Sequence, residues 1–170
     1  MNFHKNILLS FLLISSITCQ SQDLPSQIYE DAYTAYDNSK FKQAINLYES
    51  INEQYKDSVD YHLILGICYS EEGNNEAAIE AYNRSLAIDI DFEQAYIQRG
   101  ISYFSISENS KAIKDFKQAI LINPDNPDVY LNLGTVQYES GDIEGACSQW
   151  KVARDLGLDI ASQMIDEVCK

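Results

Sequence analysis

The 170 residues are 45% apolar and 11% aromatic, enough hydrophobic mass for one compact domain or a short repeat array and too much for a disordered chain. Lys and Arg number 12 against 26 Asp and Glu, a net charge of −14. So acidic a surface repels phosphate backbones and anionic lipid headgroups, which excludes nucleic acid as a partner.

The N-terminal stretch MNFHKNILLSFLLISSITCQSQ begins with His4 and Lys5, runs apolar from Ile7 to Ile14 and turns small and polar from Ser15 to Ser21. That is the layout of a secretory signal peptide, here residues 1–21. Its apolar run is shorter than the ~18 residues of a membrane-spanning helix, and no other segment approaches that length. Two processing sites compete. SITC, ending at Cys19, resembles a bacterial lipoprotein signal, although Ser16 and Thr18 depart from its usual residues. Processing there would put a lipid on Cys19 and tether the protein to the outer membrane of a Gram-negative bacterium, its sole membrane contact. Cleavage after Ser21 would leave a free periplasmic or secreted protein.

Beyond this segment the sequence repeats with a period of 34 residues, in registers starting at Pro25, Val59, Glu93 and Pro127. Position 8 of the register holds Ala32, Gly66, Gly100 and Gly134, and position 20 holds Ala44, Ala78, Ala112 and Ala146. Position 24 holds Tyr48, Tyr82, Phe116 and Trp150. Within a unit, apolar residues recur at helical spacing in two runs, such as Tyr61, Leu65, Tyr69 and then Ala78, Ile79, Tyr82, Leu86, with EEGN between them. Each unit therefore reads as a helical hairpin. Small residues at 8 and 20 let its helices approach, and the aromatic at 24 is expected to fill the space between neighbouring hairpins. NPDNPDVY marks a boundary, with Pro124 ending one helix, Asn126 capping the next and Pro127 in its first turn.

These columns resemble the tetratricopeptide repeat, whose signature has a large residue at 4, Leu-Gly at 7 and 8, Tyr at 11, Ala at 20, an aromatic at 24, Ala at 27 and Pro at 32. Repeat 2 matches with Leu65, Gly66, Tyr69, Ala78 and Tyr82; repeat 3 adds Tyr96, Tyr103, Phe116, Ala119 and Pro124. Repeat 1 departs, with Asp31-Ala32 for Leu-Gly and Lys56 for Pro, and the last repeat is also similar to Sel1-like repeats. The resemblance implies an all-α, right-handed superhelical solenoid of four antiparallel hairpins: residues 25–58, 59–92, 93–126 and 127–158. Residues 159–170 follow as a capping helix, with Ile160, Met164 and Val168 on its apolar side.

GACSQWKVARDLG places Cys147 just ahead of Trp150, the one tryptophan, but both fall on packing positions. A catalytic cysteine also needs a histidine to take its proton. Beyond His4, in the signal segment, the chain has His62, which shares position 4 with Tyr96 and Tyr130 and reads as a packing residue. With no zinc-type ligand spacing and no glycine-rich phosphate loop, the chain is expected to hold no catalytic centre, metal or cofactor. Glu71 with Glu72, and Asp89 with Asp91, read as solvated turn charge. Cys68 reads as a small core residue. Cys147 near the start of one helix and Cys169 at the end of the next antiparallel one suit a disulfide in an exported chain, the alternative being two buried thiols.

The resemblance also implies a concave face, lined by the first helix of each repeat, that receives a peptide or protein. By that analogy its positions 5, 9 and 12 contribute Tyr29, Tyr33, Leu63, Ile67, Ile97, Ile101, Phe104, Leu131, Thr135 and Tyr138. The Lys, Asn and Arg clamp of chaperone-binding relatives is missing, since the matching positions hold Tyr29, Tyr33, Ile64, Gln94 and Gln98. The function expected is a non-catalytic adaptor or assembly factor of the bacterial envelope with a protein or peptide partner; the alternatives are an accessory subunit of an envelope enzyme and a self-associating scaffold.

Overall fold

The computed structural model describes residues 24–169; the expected signal peptide at residues 1–21, with Cys19, lies outside them. The described chain is all-α and divides into two compact units between Lys56 and Asp57.

In the first unit, α1 (residues 24–37) and α2 (Phe41–Ser50) form a hairpin followed by the short α3 (Asn52–Tyr55). Ala32, Ala35, Ala44 and Tyr48 are buried between them. The second helix breaks at Ile51, itself buried. The same register position holds Ser85, Ala119 and Ala153 in the later hairpins, buried within unbroken helices. A branched side chain is too large for that close approach, and the backbone gives way around it.

The second unit stacks three hairpins, α4 (Val59–Glu71) with α5 (Asn75–Ile88), α6 (Glu93–Ser105) with α7 (Asn109–Ile122), and α8 (Pro127–Glu139) with α9 (Ile143–Asp155). The helix α10 (Ile160–Val168) closes the stack against α9. Each helix packs on the next in sequence, and α4 also meets α6 as α6 meets α8. The three first helices therefore lie side by side as one layer.

Local chemistry sets the helix ends. The side chains of Ser58, Asn74, Asn126 and Asp142 accept backbone N–H bonds from Tyr61, Ala77, Asp128 and Gly145, satisfying donors that a first turn leaves open. Helix α7 stops at Ile122, and Asn123 is extended (φ −135°, ψ 94°) ahead of Pro124.

Each hairpin of the second unit is locked by a glycine set against an aromatic ring. A Cβ placed on Gly66 would lie 2.7 Å from Cδ1 of Tyr82, one on Gly100 would lie 2.8 Å from Cε1 of Phe116, and one on Gly134 would lie 2.6 Å from Cδ1 of Trp150. The position-24 aromatic thus seats on the glycine of its own hairpin and also shares a buried cluster with the elements that follow, Tyr82 and Phe116 with Ala95 and Val129, and Trp150 with Ala161. With no Cβ in the way, the ring reaches the backbone of the facing helix and is buried completely, or nearly so for Phe116. Burying such a side chain contributes ~1.5–3 kcal/mol.

The capping helix keeps Met164 and Val168 on its packed side as expected and departs from expectation at Ile160. Ile160 is 52% exposed, and Ala161 and Ile165 join Met164 and Val168 in packing toward Trp150 and Ala153. These four form an i, i+3, i+4, i+7 stripe, wider than the every-fourth-residue run that includes Ile160.

The turn between the helices of each hairpin uses one left-handed residue at the same register position: Ser39 (φ 57°), Gly73 (φ 79°), Ser107 (φ 64°) and Gly141 (φ 84°). Serine carries a Cβ penalty there that glycine lacks. The turn at Ser107 is doubly suboptimal, because Glu108, at the N-cap of α7, makes no side-chain cap bond where Asn74 and Asp142 do. Ser107→Gly is expected to stabilise the second unit by ~0.5–1 kcal/mol and Glu108→Asp by ~1 kcal/mol. Urea midpoints measure both, and an unchanged or lowered midpoint contradicts this reading of the turn.

Candidate functional site

The α4–α6–α8 layer exposes one stripe per helix. Residues spaced i, i+4, i+7, i+11 share a helix face, and those at register positions 2, 6, 9 and 13 follow that spacing. On α4 they are Asp60, Ile64, Ile67 and Glu71; on α6, Gln94, Gln98, Ile101 and Ser105; on α8, Asp128, Asn132, Thr135 and Glu139. In all three helices the outer two are exposed and the inner two half-buried. The layer therefore presents an apolar centre at Ile67 and Ile101 with polar margins. The amides of Gln94, Gln98 and Asn132 have no hydrogen-bond partner among the described residues, whereas the Thr135 hydroxyl donates to the carbonyl of Leu131 at 2.9 Å.

The residues assigned to the face from sequence separate into three groups. Ile67, Ile101 and Thr135 come together on adjacent helices of the layer, with Phe104 half-buried and Tyr138 40% exposed at its side. Tyr138 also leans on Trp150, ring centroids 5.8 Å apart. Leu63 and Ile97 are buried, 9% and 6% exposed, and belong to the core instead. Position 5 is turned toward the neighbouring hairpins, so stacking covers it. Leu131, at the same position of the last hairpin, is half-buried against the cluster around Trp150, and its carbonyl accepts the Trp150 indole N–H at 3.3 Å.

Tyr29 and Tyr33 belong to the first unit. The Tyr29 ring stacks on Tyr55 at 4.8 Å and meets Tyr48 edge-on at 5.5 Å, a packing role. Tyr33 is exposed beside Tyr36.

One buried charge pair escaped the sequence reading. Arg99 on α6 holds Asp115 on α7 in a bidentate pair, Nε–Oδ2 2.7 Å and Nη2–Oδ1 2.8 Å, while its Nη1 donates to Asn83 of α5 at 2.6 Å. The guanidinium lies over the Tyr96 ring, 5.3 Å from its centroid. Burial opposes its charge, but the hydrogen bond and attraction of Asp115 outweigh that and raise its pKa above the ordinary value. Arg99 therefore ties three helices together and is spent in doing so. The available signal was its identity, an arginine at position 7 where repeats 2 and 4 carry Leu65 and Leu133.

Among the described residues no group of three His, Cys, Asp or Glu stands close enough to hold a metal ion. No described helix is long and apolar enough to cross a membrane. His62 is buried, with its ring edge-on to Tyr61 at 5.0 Å. Cys147 and Cys169 form a disulfide joining α9 to the end of α10, Cα atoms 5.7 Å apart. Cys68 is the one free thiol among the described residues, and burial pushes its pKa up to about 12.

Thiolate is the reactive form, so at pH 8 folded Cys68 should be about a thousandfold less ionised than a thiol at the ordinary 9.0. Alkylation of the native, unreduced protein followed by peptide mapping should leave Cys68 unmodified until denaturant is added and return Cys147 and Cys169 as one linked peptide. Rapid labelling of native Cys68, or of the other two without reductant, contradicts this arrangement.

Two family models match the chain: one described as tetratricopeptide repeat over residues 29–91 and one described as TPR repeat over residues 102–141. Among solved structures, the chain is similar to a crystal structure of MamA, with TM-score 0.77, 22% identity and 87% of this chain and 86% of that one covered. It is also similar to a thermophilic TPR protein of Thermus thermophilus, with TM-score 0.68, 19% identity and coverage of 83% and 81%. A third structure is the first TPR of Spaghetti bound to an HSP90 peptide, with TM-score 0.66, 17% identity and coverage of 69% and 93%. At these identities the likeness is one of fold. No curated protein matches the sequence.

Proposed function

We infer that this chain, which belongs to the tetratricopeptide-repeat proteins, is a non-catalytic protein-interaction module that holds a peptide or protein on the α4–α6–α8 face. The observation that carries the reading is the face itself: half-buried Ile67 and Ile101 beside unpaired amides on a layer of packed helices. An apolar centre with free hydrogen-bonding groups around it is what a protein partner's side chains and backbone can use. The buried, proton-holding thiol of Cys68 and the packed ring of His62 supply no nucleophile and base to set against this.

The Spaghetti repeat holds a peptide of sequence SRMEEVD, rich in carboxylates. The face here carries no cation in its stripes, so its ligand is of another kind. We place the protein in the bacterial cell envelope as an adaptor or assembly factor. The signal segment at residues 1–21 and the Cys147–Cys169 disulfide support export to an oxidising compartment. A lipid on Cys19 would tether it to the membrane, and cleavage after Ser21 would release it.

Affinity capture from envelope extracts tests the reading, comparing wild type with an Ile67→Asp, Ile101→Asp variant whose circular dichroism matches it. A partner held by wild type should be recovered at least tenfold less by the variant, because two buried carboxylates oppose any apolar contact. Equal recovery with both proteins contradicts the assignment of the face, and concentration-dependent light scattering with no captured partner points to self-association instead.

A further inference from the structure

We propose that the α4–α6–α8 face takes an extended basic segment of its partner: a short apolar centre lying on Ile101 of α6, with lysine or arginine at each end beside the carboxylates of α4 and α8. This rests on the reading above and names the chemistry of the partner.

The first observation is where the cations are. In the second unit Arg84, Lys111, Lys114, Lys117, Lys151 and Arg154 all sit on the second helices α5, α7 and α9. The first helices carry Arg99 alone, and its guanidinium is committed to Asp115 and Asn83. Overall acidity does not explain this, because the second helices mix both signs whereas the exposed face has no cation at all. The layer is thus a region of one sign, which draws a basic partner in and turns an acidic one away.

The second observation is where the carboxylates of that face lie. Asp60 and Glu71 stand at the two ends of the α4 stripe, and Asp128 and Glu139 at the two ends of the α8 stripe, all four exposed. The α6 stripe between them ends in Gln94 and Ser105 and is neutral. Eleven residues of helix rise about 16 Å, and packed helix axes stand about 8–10 Å apart. The four carboxylates therefore mark the corners of a rectangle, with Ile101 and the amides of Gln94 and Gln98 near its middle.

An extended peptide crossing the layer from α4 to α8 covers about 16–20 Å, which is five or six residues at ~3.3 Å each. Its central side chains meet the apolar residues and its backbone meets the free amides, while its two ends pass between paired carboxylates. Carboxylates flanking the path on α4 and on α8, with neutral α6 between them, call for a basic–apolar–basic sequence. Nucleic acid and anionic lipid meet repulsion on the same face.

The test uses fluorescent nine-residue peptides with one apolar centre: Lys-Lys-Ser-Leu-Val-Leu-Ser-Lys-Lys, and the same centre flanked by glutamates or by serines. Anisotropy at low salt should show the lysine peptide binding at least tenfold more tightly than the glutamate peptide, with the gap closing as salt rises past a few hundred millimolar. Asp60→Asn, Glu71→Gln, Asp128→Asn and Glu139→Gln together should remove the preference. An equal neutralisation on the second helices, Glu76→Gln, Glu80→Gln, Glu144→Gln and Asp155→Asn, should leave it in place. Ile101→Thr, the residue that the last hairpin uses at this position, should weaken all three peptides alike.

Equal binding of the lysine and glutamate peptides, including no binding of either, overturns the proposal. So does an equal effect of the two neutralised variants, which would make the attraction one of net charge alone. The capture experiment with Ile67→Asp and Ile101→Asp judges the face independently, so a partner that depends on those isoleucines but lacks basic flanks would overturn the charge pattern and leave the interaction face standing.

Discussion

The contact on which the rest of the second unit depends is the aromatic ring seated on a bare glycine: Tyr82 on Gly66, Phe116 on Gly100, Trp150 on Gly134. Glycine inside a helix costs ~1 kcal/mol relative to alanine, so three of them are a standing expense of helix propensity. They persist because removing the Cβ lets a large ring lie against the opposing backbone, and the burial of that ring outweighs the cost. The contact fixes how far apart the two helices of a hairpin stand, and a repeat array carries that spacing from each hairpin to the next.

From that spacing the functional surface follows. Once each second helix is drawn onto its first helix, positions 5 and 24 are consumed in the core and positions 2, 6, 9 and 13 are left facing solvent. Stacking then aligns three such stripes side by side. Arg99 contributes at the middle hairpin by tying α6 to α7 and α5 through Asp115 and Asn83, which also withdraws the one first-helix cation from the face. Breaking such a pair at one partner leaves a buried charge unmatched and costs ~3–5 kcal/mol, so the two residues act as a unit. The disulfide between Cys147 and Cys169 holds the closing helix over the last hairpin, where Trp150 would otherwise meet solvent.

Much of this was legible in the sequence because it is periodic. Gly66, Gly100 and Gly134, their aromatic partners and the caps at Asn126 and Pro127 all announce themselves by spacing. What spacing does not carry is the direction of burial between hairpins. Leu63 and Ile97 have the same apolar identity as Ile67 and Ile101, and only the stacking of the next hairpin distinguishes core from surface. On α10 the same limit shows at one position: Met164 and Val168 follow from the spacing, but docking on α9 buries Ala161 and leaves Ile160 outside, about 100° away round the helix. The Arg99–Asp115 pair breaks the pattern, so a reading built on pattern passes over it.

The central claim is that the hairpins are held at their spacing by the glycine–aromatic contact, and a double-mutant cycle at Gly100 and Phe116 tests it most directly. Urea denaturation of Gly100→Ala, Phe116→Leu and the double variant gives the coupling between the two sites. In the wild-type background Gly100→Ala should destabilise by ~1–3 kcal/mol as the new methyl meets the ring. In the Phe116→Leu background the methyl has room, and the same change should be neutral or stabilise by up to ~1 kcal/mol through better helix propensity. If Gly100→Ala is neutral or stabilising with Phe116 in place, the ring is not seated on that glycine and the account of the hairpin fails.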